Sequence, residues 1–286
     1  MHRPRNGRRS GFTLIELLVV MGIIALLLAI LLPALNRARA TTKRVKDATQ
    51  IQQVHKGFLT LAREFNGVFP TPGLIDRLPV NGQNRPGAGN EDVSQNDHGK
   101  LYSACIAQNA FSTDVLVTPS EVSTNVLVMA NYNHDAYQPI TTDQYWDPLF
   151  QADLRPGQIA HVSYGTLELN GQRKSKQWRD TLDSKFVVLA NRGVQNGDYS
   201  ANVYNASKTL QIHGGAKEWD GNICFNDGHV IYDKKFQPDG IVQFTSNNTT
   251  IDDNIFKDDP EALTGDAFLT MVYQMSSAGA PSRAWD

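Results

Sequence analysis

A chain of 286 residues is long enough for one sizeable domain or two small ones beyond any anchor. Its charge is unevenly placed: residues 1–66 hold 11 Lys and Arg against Glu16, Asp47 and Glu64, a balance of +8, which leaves 16 bases against 26 acids, a balance of −10, in the remainder. An acidic remainder repels phosphate backbones and excludes general nucleic-acid binding through that part.

The first element is a polar leader, Met1 to Gly11, with Arg3, Arg5, Arg8 and Arg9 and no acid. From Phe12 to Leu32 the chain is apolar over 21 residues, interrupted only by Thr13, Glu16 and Gly22. At ~1.5 Å per residue this run matches the roughly 30 Å of a bilayer's hydrocarbon core. Glu16 stands near one end of the span, and an ionisable residue in such a place is a functional candidate once a partner is named. A cut between Gly11 and Phe12 would create an α-amino group four residues before Glu16, on the same helix face, so amine and carboxylate could pair within one chain or between neighbours. The plain alternative is an uncleaved signal anchor with a stray Glu.

The basic leader, the Gly-Phe-Thr-Leu-Ile-Glu sequence at 11–16 and the apolar helix with Pro33 near its end resemble the N-terminus of type IV pilins and type II secretion pseudopilins. The resemblance covers roughly residues 8–40. It implies a prepilin peptidase that cuts after Gly11 on the cytoplasmic face and N-methylates Phe12. It also implies that Glu16 neutralises the Phe12 amine of an adjacent subunit during filament assembly. Charge does not orient the span, because Arg37, Arg39, Lys43, Arg44 and Lys46 follow it as four Arg precede it. The resemblance does, placing the leader in the cytoplasm and the rest outside.

Beyond Pro33, expected to kink rather than stop the helix, apolar residues at 51, 54, 58, 61 and 65 form a helical stripe. Asn66-Gly67 is a C-cap signal, and Pro70 and Pro72 block continuation. The expected divisions are a cleaved leader at 1–11, a transmembrane and amphipathic spine helix at 12–66, and an extracytoplasmic globular domain at 67–286. Val68 to Gly99 reads as a long loop. A short helix is expected at 101–109, and strands at 114–117, 124–131, 164–169, 186–190 and 240–246. Asp259-Pro260 supplies the N-cap and first-turn proline of a helix reaching about Gln274, and residues 276–286 read as a frayed tail.

Around Asp227-Gly228 two short apolar runs, from Gly221 and ending at Tyr232, predict a tight hairpin whose turn needs φ > 0 at both central residues. With His213 upstream, this stretch resembles the C-terminal region of a large pilin-like family associated with prepilin-type processing, in which a histidine, nine residues and Asp-Gly-His-Val follow one another. Here 13 residues separate His213 from Asp227, an insertion of four around Glu218, Trp219 and Asp220.

His213, Asp220, Asp227 and His229 are of zinc-ligand type and are weak metal candidates. The plainer reading gives Asp227 to the turn and both histidines to structural hydrogen bonds. Asp252, Asp253, Asp258, Asp259, Glu261 and Asp266 offer oxygen ligands of the kind calcium takes, as some pseudopilins bind it in a C-terminal loop, although their spacing is no EF-hand. Otherwise no cofactor is expected. Cys105 and Cys224 are either one disulfide or two buried thiols. Trp146, Trp178, Trp219 and Trp285 are either a glycan surface or packing. No nucleophile elbow, His-Glu-x-x-His, P-loop or dinucleotide fingerprint occurs, so no enzyme is expected.

These readings converge on an α+β, pilin-like fold, with a long N-terminal helix packed on an antiparallel sheet with loop-rich insertions. The implied role is a structural subunit, major or minor, of a type II secretion pseudopilus or type IV pilus-like filament. Its partners would be prepilin peptidase, other pilin or pseudopilin subunits and the bacterial inner membrane, with the C-terminal domain periplasmic. The rival is a membrane-anchored extracytoplasmic binding protein or hydrolase with a pilin-type leader. A secreted protein cut after the apolar region is disfavoured by the length of the span.

Overall fold

Apolar side chains at helical spacing form one α-helix, α1, from Leu14 to Ala62, which runs through Gly22 and Gly57 without a break. The computed structural model describes residues 12–213, 217–246, 249–259 and 266–285. Gly11 and the rest of the leader lie outside the described residues. Pro33 sits inside α1 and does not end it. The helix closes three residues before the expected Phe65, where Asn66 (φ 53°) and Gly67 (φ 78°) turn left-handed and the Gly67 amide donates to the Ala62 carbonyl at 2.8 Å. A glycine there carries the positive φ without a Cβ clash, as a helix C-cap requires.

The chain divides into two compact units whose boundary falls within α1, between Lys43 and Arg44. In the first unit the apolar side chains from Phe12 to Leu35 are all exposed, and this helix is long and apolar enough to cross a membrane.

The second unit, from Arg44 onward, is α+β and pilin-like. A five-stranded antiparallel sheet runs in the order β4-β3-β2-β1-β7, with β1 Tyr164–Leu167, β2 Val187–Asn191, β3 Gly221–Phe225, β4 Val230–Asp233 and β7 Leu269–Thr270. Two hairpins stand apart from it: β5 Gln243–Ser246 with β6 Thr249–Asp252, and β8 Val272–Met275 with β9 Pro281–Arg283. Ile51, Val54, Phe58 and Leu61 of α1 enter one core with β1, β2 and β3. At its centre Phe58 meets Trp178 at 5.4 Å and Tyr102 at 6.0 Å between ring centroids. Trp146, Trp178 and Trp219 are buried, which settles them as packing rather than surface. Cys105 and Cys224 are free, buried thiols, and burial pushes both far above the ordinary thiol range.

Several expectations need correction. The helix expected at 101–109 runs from His98 to Ala107, because Asp97 caps it by accepting from the Lys100 amide at 2.8 Å. The strand expected at 114–117 is a 3-10 turn, Thr113–Leu116, whose short apolar run drops Leu116 into the core instead of pairing. Of 124–131 only one isolated bridge forms, Val126 with Ala160. The helix expected from Pro260 starts on undescribed residues, and its remainder is strand: Leu167 pairs with Leu269 and Thr166 with Thr270. A capping signal says where a helix can begin, while Thr270, Val272 and Tyr273 favour a pleated strand. Nor is the tail frayed, since Pro281–Arg283 pairs with β8.

Candidate functional site

Thr13 and Glu16 at the start of α1 form a capping box. The Glu16 amide donates to Thr13 Oγ1 at 3.2 Å, while Glu16 Oε2 accepts from the Thr13 amide at 2.9 Å and its hydroxyl at 2.8 Å. The carboxylate that looked stray in an apolar run thus satisfies donors that the helix leaves open at its N-terminus. Phe12, directly before the box, is 78% exposed.

A second constellation lies in the Arg44–Asp286 unit, where α1 meets the sheet through polar side chains. Asp47, fully buried, accepts from the Tyr164 hydroxyl at 3.1 Å, from Asn222 Nδ2 at 2.7 Å and from His213 Nε2 at 3.1 Å. His213 Nε2 also faces Asn191 Oδ1 at 3.2 Å, so between two acceptors that nitrogen carries the proton. Burial opposes ionisation of Asp47, but the contacts from His213, Thr118 and Asn222 outweigh it and hold the carboxyl below its ordinary range. One turn earlier Arg44 reaches Asp220 at 3.5 Å and stacks 4.4 Å over the Tyr232 ring, whose hydroxyl also bonds Asp220. One turn later Gln52 Nε2 donates to the Gly228 carbonyl at 3.2 Å.

The β3–β4 hairpin is therefore the seat of α1. Its turn differs from the expected form: only Gly228 has positive φ (85°), and Asp227 instead receives the His229 amide on Oδ1 at 3.1 Å. The ring of His229 bonds Asp227 at 2.5 Å and stacks on Phe225 at 4.3 Å. The four weak metal candidates separate accordingly. His213 belongs to Asp47, Asp220 to Arg44 and Tyr232, and Asp227 to His229, and among the described residues they do not form one donor set.

A third group gathers at an acidic corner. Asp253, Asp259 and Asp266 each bring a carboxylate oxygen within 4.8 Å of the others. Asp266 is paired with Arg173 at 2.6 Å and Asp259 with Lys257 at 2.7 Å, and Asp258 also bonds Arg173. Asp253 accepts from the Ala267 amide at 2.7 Å on Oδ2, while its buried Oδ1 has no hydrogen-bond partner among the described residues. Burial, with Asp266 and Asp259 nearby, raises its pKa to about 7. Asp252 lies on β6, bonded to Gln243, and Glu261 lies outside the described residues.

Residues 6–32 match the prokaryotic N-terminal methylation motif. The chain thus carries a prepilin-type N-terminal methylation motif. Its membrane anchor is the N-terminal helix that bears the motif. The match takes in Gly11, Phe12 and Glu16 and ends at Leu32, so it does not reach the hairpin. Neither a curated protein nor a solved structure matches this chain.

Sequence reasoning missed Asp47, although a signal was there. It is the first acid after Glu16, and it stands at positions i, i+4, i+7 and i+11 with Ile51, Val54 and Phe58, on the stripe that faces the core. Asn191 and Asn222 gave no comparable sign, since their role depends on the register of β2 against β3.

Proposed function

We propose that this chain is a structural subunit of a type II secretion pseudopilus or type IV pilus-like filament. Prepilin peptidase would cut it between Gly11 and Phe12 and methylate Phe12, with the leader in the cytoplasm and the domain outside. One observation carries the reading: the methylation motif coincides with an acid, Glu16, fixed at the exposed end of a membrane-length apolar helix. The hairpin's part is to hold that helix to its domain, so that a pull on one is transmitted to the other. The rival reading, a membrane-anchored extracytoplasmic binding protein or hydrolase, requires an open pocket such as one lined by His213, Asp220 and His229. The side chains of His213 and Asp220 are only 1% and 5% exposed, which speaks against it.

The deciding measurement is the mass of the mature N-terminal peptide from cells with and without prepilin peptidase. A peptide beginning at N-methylated Phe12, lost without the peptidase, is the expected result. An intact Met1 start in both strains refutes it.

The acidic corner supports a cation of calcium's kind held by Asp253, Asp259 and Asp266. The orphaned Asp253 oxygen fits a ligand role, and so does the charge: among the described residues Glu168, Asp253, Asp258, Asp259 and Asp266 face Arg173, Lys257 and Arg283, an excess of two negative charges. A carboxyl whose folded-state pKa stands at about 7 against an ordinary 3.8 stabilises the fold while protonated, and that contribution is lost as pH rises from about 4 through 7. Melting temperature without added cation is therefore expected to fall over that window. Calcium at about 100 times its Kd, at pH 7.5, should raise it by about 5–10 °C. Asp253→Asn should remove both the slope and the calcium gain, and a calcium gain retained by that variant refutes the assignment.

A further inference from the structure

Immediately beyond the apolar run, α1 carries Arg37, Arg39 and Lys43, all exposed and none with an ion pair among the described residues. No acid occurs between Glu16 and Asp47, so nothing on the same stretch neutralises them. Arg44, by contrast, is engaged with Asp220 and Tyr232. The methylation motif ends at Leu32 and assigns these cations no role.

Their position along the helix selects a partner. From Leu35 at the end of the apolar side chains, ~1.5 Å per residue puts Arg37 about 3 Å, Arg39 about 6 Å and Lys43 about 12 Å further on. The polar layer on each side of the hydrocarbon core is about 5–8 Å deep. Arg37 and Arg39 thus fall at headgroup depth, and Lys43, four residues from Arg39 on the same helix face, can lay its stem back toward that layer. Cations on a translocated flank run against the usual bias of membrane proteins, and a local anion offsets that cost. We propose that Arg37, Arg39 and Lys43 bind the phosphate headgroups of anionic phospholipids in the leaflet where α1 leaves the membrane. The contact rests on the membrane-anchored reading above. It gives the stored subunit an electrostatic hold that has to be released before α1 leaves the bilayer.

The test reconstitutes the full chain into phosphatidylcholine vesicles with and without one-fifth phosphatidylglycerol. Flotation after an alkaline wash of the pure phosphatidylcholine vesicles checks anchoring alone, and failure there overturns the anchored reading together with this one. Extraction in mild detergent and mass spectrometry of the lipid retained by the protein then reads headgroup preference. The expected result is several-fold enrichment of phosphatidylglycerol, lost in 0.5 M NaCl and reduced about fivefold or more in Arg37→Gln/Arg39→Gln/Lys43→Gln. The control Lys234→Gln/Lys235→Gln should keep it. Unchanged enrichment in the triple variant overturns the proposal. So does a wild-type chain with no enrichment, including one whose Lys43 cross-links instead to a carboxylate of a second copy.

Discussion

Cells making the Glu16→Ala variant are expected to insert and cleave it normally and to contain none of it in filaments. Removing an ionisable group from an apolar span lowers the cost of insertion, which for such a group is about 2.5–3.5 kcal/mol at the helix centre and less near an end. Insertion therefore survives, and the cut, five residues upstream, keeps its Gly11-Phe12 junction. What is lost is the carboxylate proposed to meet the Phe12 amine of a neighbouring subunit. The capping box supplies a competing explanation, because Glu16 also accepts from Thr13 and loss of a cap costs about 1 kcal/mol. Glu16→Gln separates the two, since its amide oxygen still accepts from Thr13 but carries no charge. On the assembly reading both variants are absent from sheared filaments on an immunoblot. Normal filament yield from Glu16→Ala would sink it, and recovery in Glu16→Gln alone would assign the defect to the cap.

Asp47→Ala carries the largest expected cost to the fold. The substitution strips one acceptor from His213, Asn222 and Tyr164 together, in a place where water does not replace it. Breaking a buried pair from one side costs about 3–5 kcal/mol, which for a unit of this size lowers the melting temperature by roughly 10 °C. The loss should couple to His213→Ala, so that the double variant falls short of the sum of the singles by 0.5 kcal/mol or more, as groups in direct contact do. Since Asp47 is held below its ordinary pKa of 3.8, its contribution is present above about pH 4 and is lost as pH falls through the folded-state value. The wild type and Asp47→Ala should therefore converge in stability in acid. A melting shift below 2 °C at pH 7 would show that the junction is held by packing alone.

The parts legible in the sequence were those whose cause is local. The span from Phe12, the stripe at 51, 54 and 58 and the stop at Asn66-Gly67 each follow from a few adjacent side chains, and the structure has them within a few residues. The hairpin at Asp227-Gly228 was equally visible, though its turn uses the Asp227 carboxylate where a second positive φ was expected. What failed was decided at long range. The stretch up to Gln274 reads as helix from the Asp259-Pro260 start signal, yet Leu269 and Thr270 are strand because β1 offers Leu167 and Thr166 as partners about a hundred residues earlier. The candidate site divides the same way. Phe12 and Glu16 announce themselves through a contiguous motif, while His213 could not be given its role without Asp47, which lies 166 positions away.

That long-range closure has a consequence for how the protein is made. Strand β7 at Leu269–Thr270 completes one edge of the sheet, and Arg283 is a principal counter-ion of the fully buried Glu168 at 2.6 Å. A ribosome has to deliver nearly the whole chain before either exists. On the orientation proposed above, the anchor is synthesised first and can enter its bilayer long before the rest has an edge strand or a neutralised acid, so the domain would be threaded outward as an open polypeptide and fold only on arrival. The reduced, buried state of Cys105 and Cys224 suits that order, because folding on the far side then needs no oxidant and no thiol exchange.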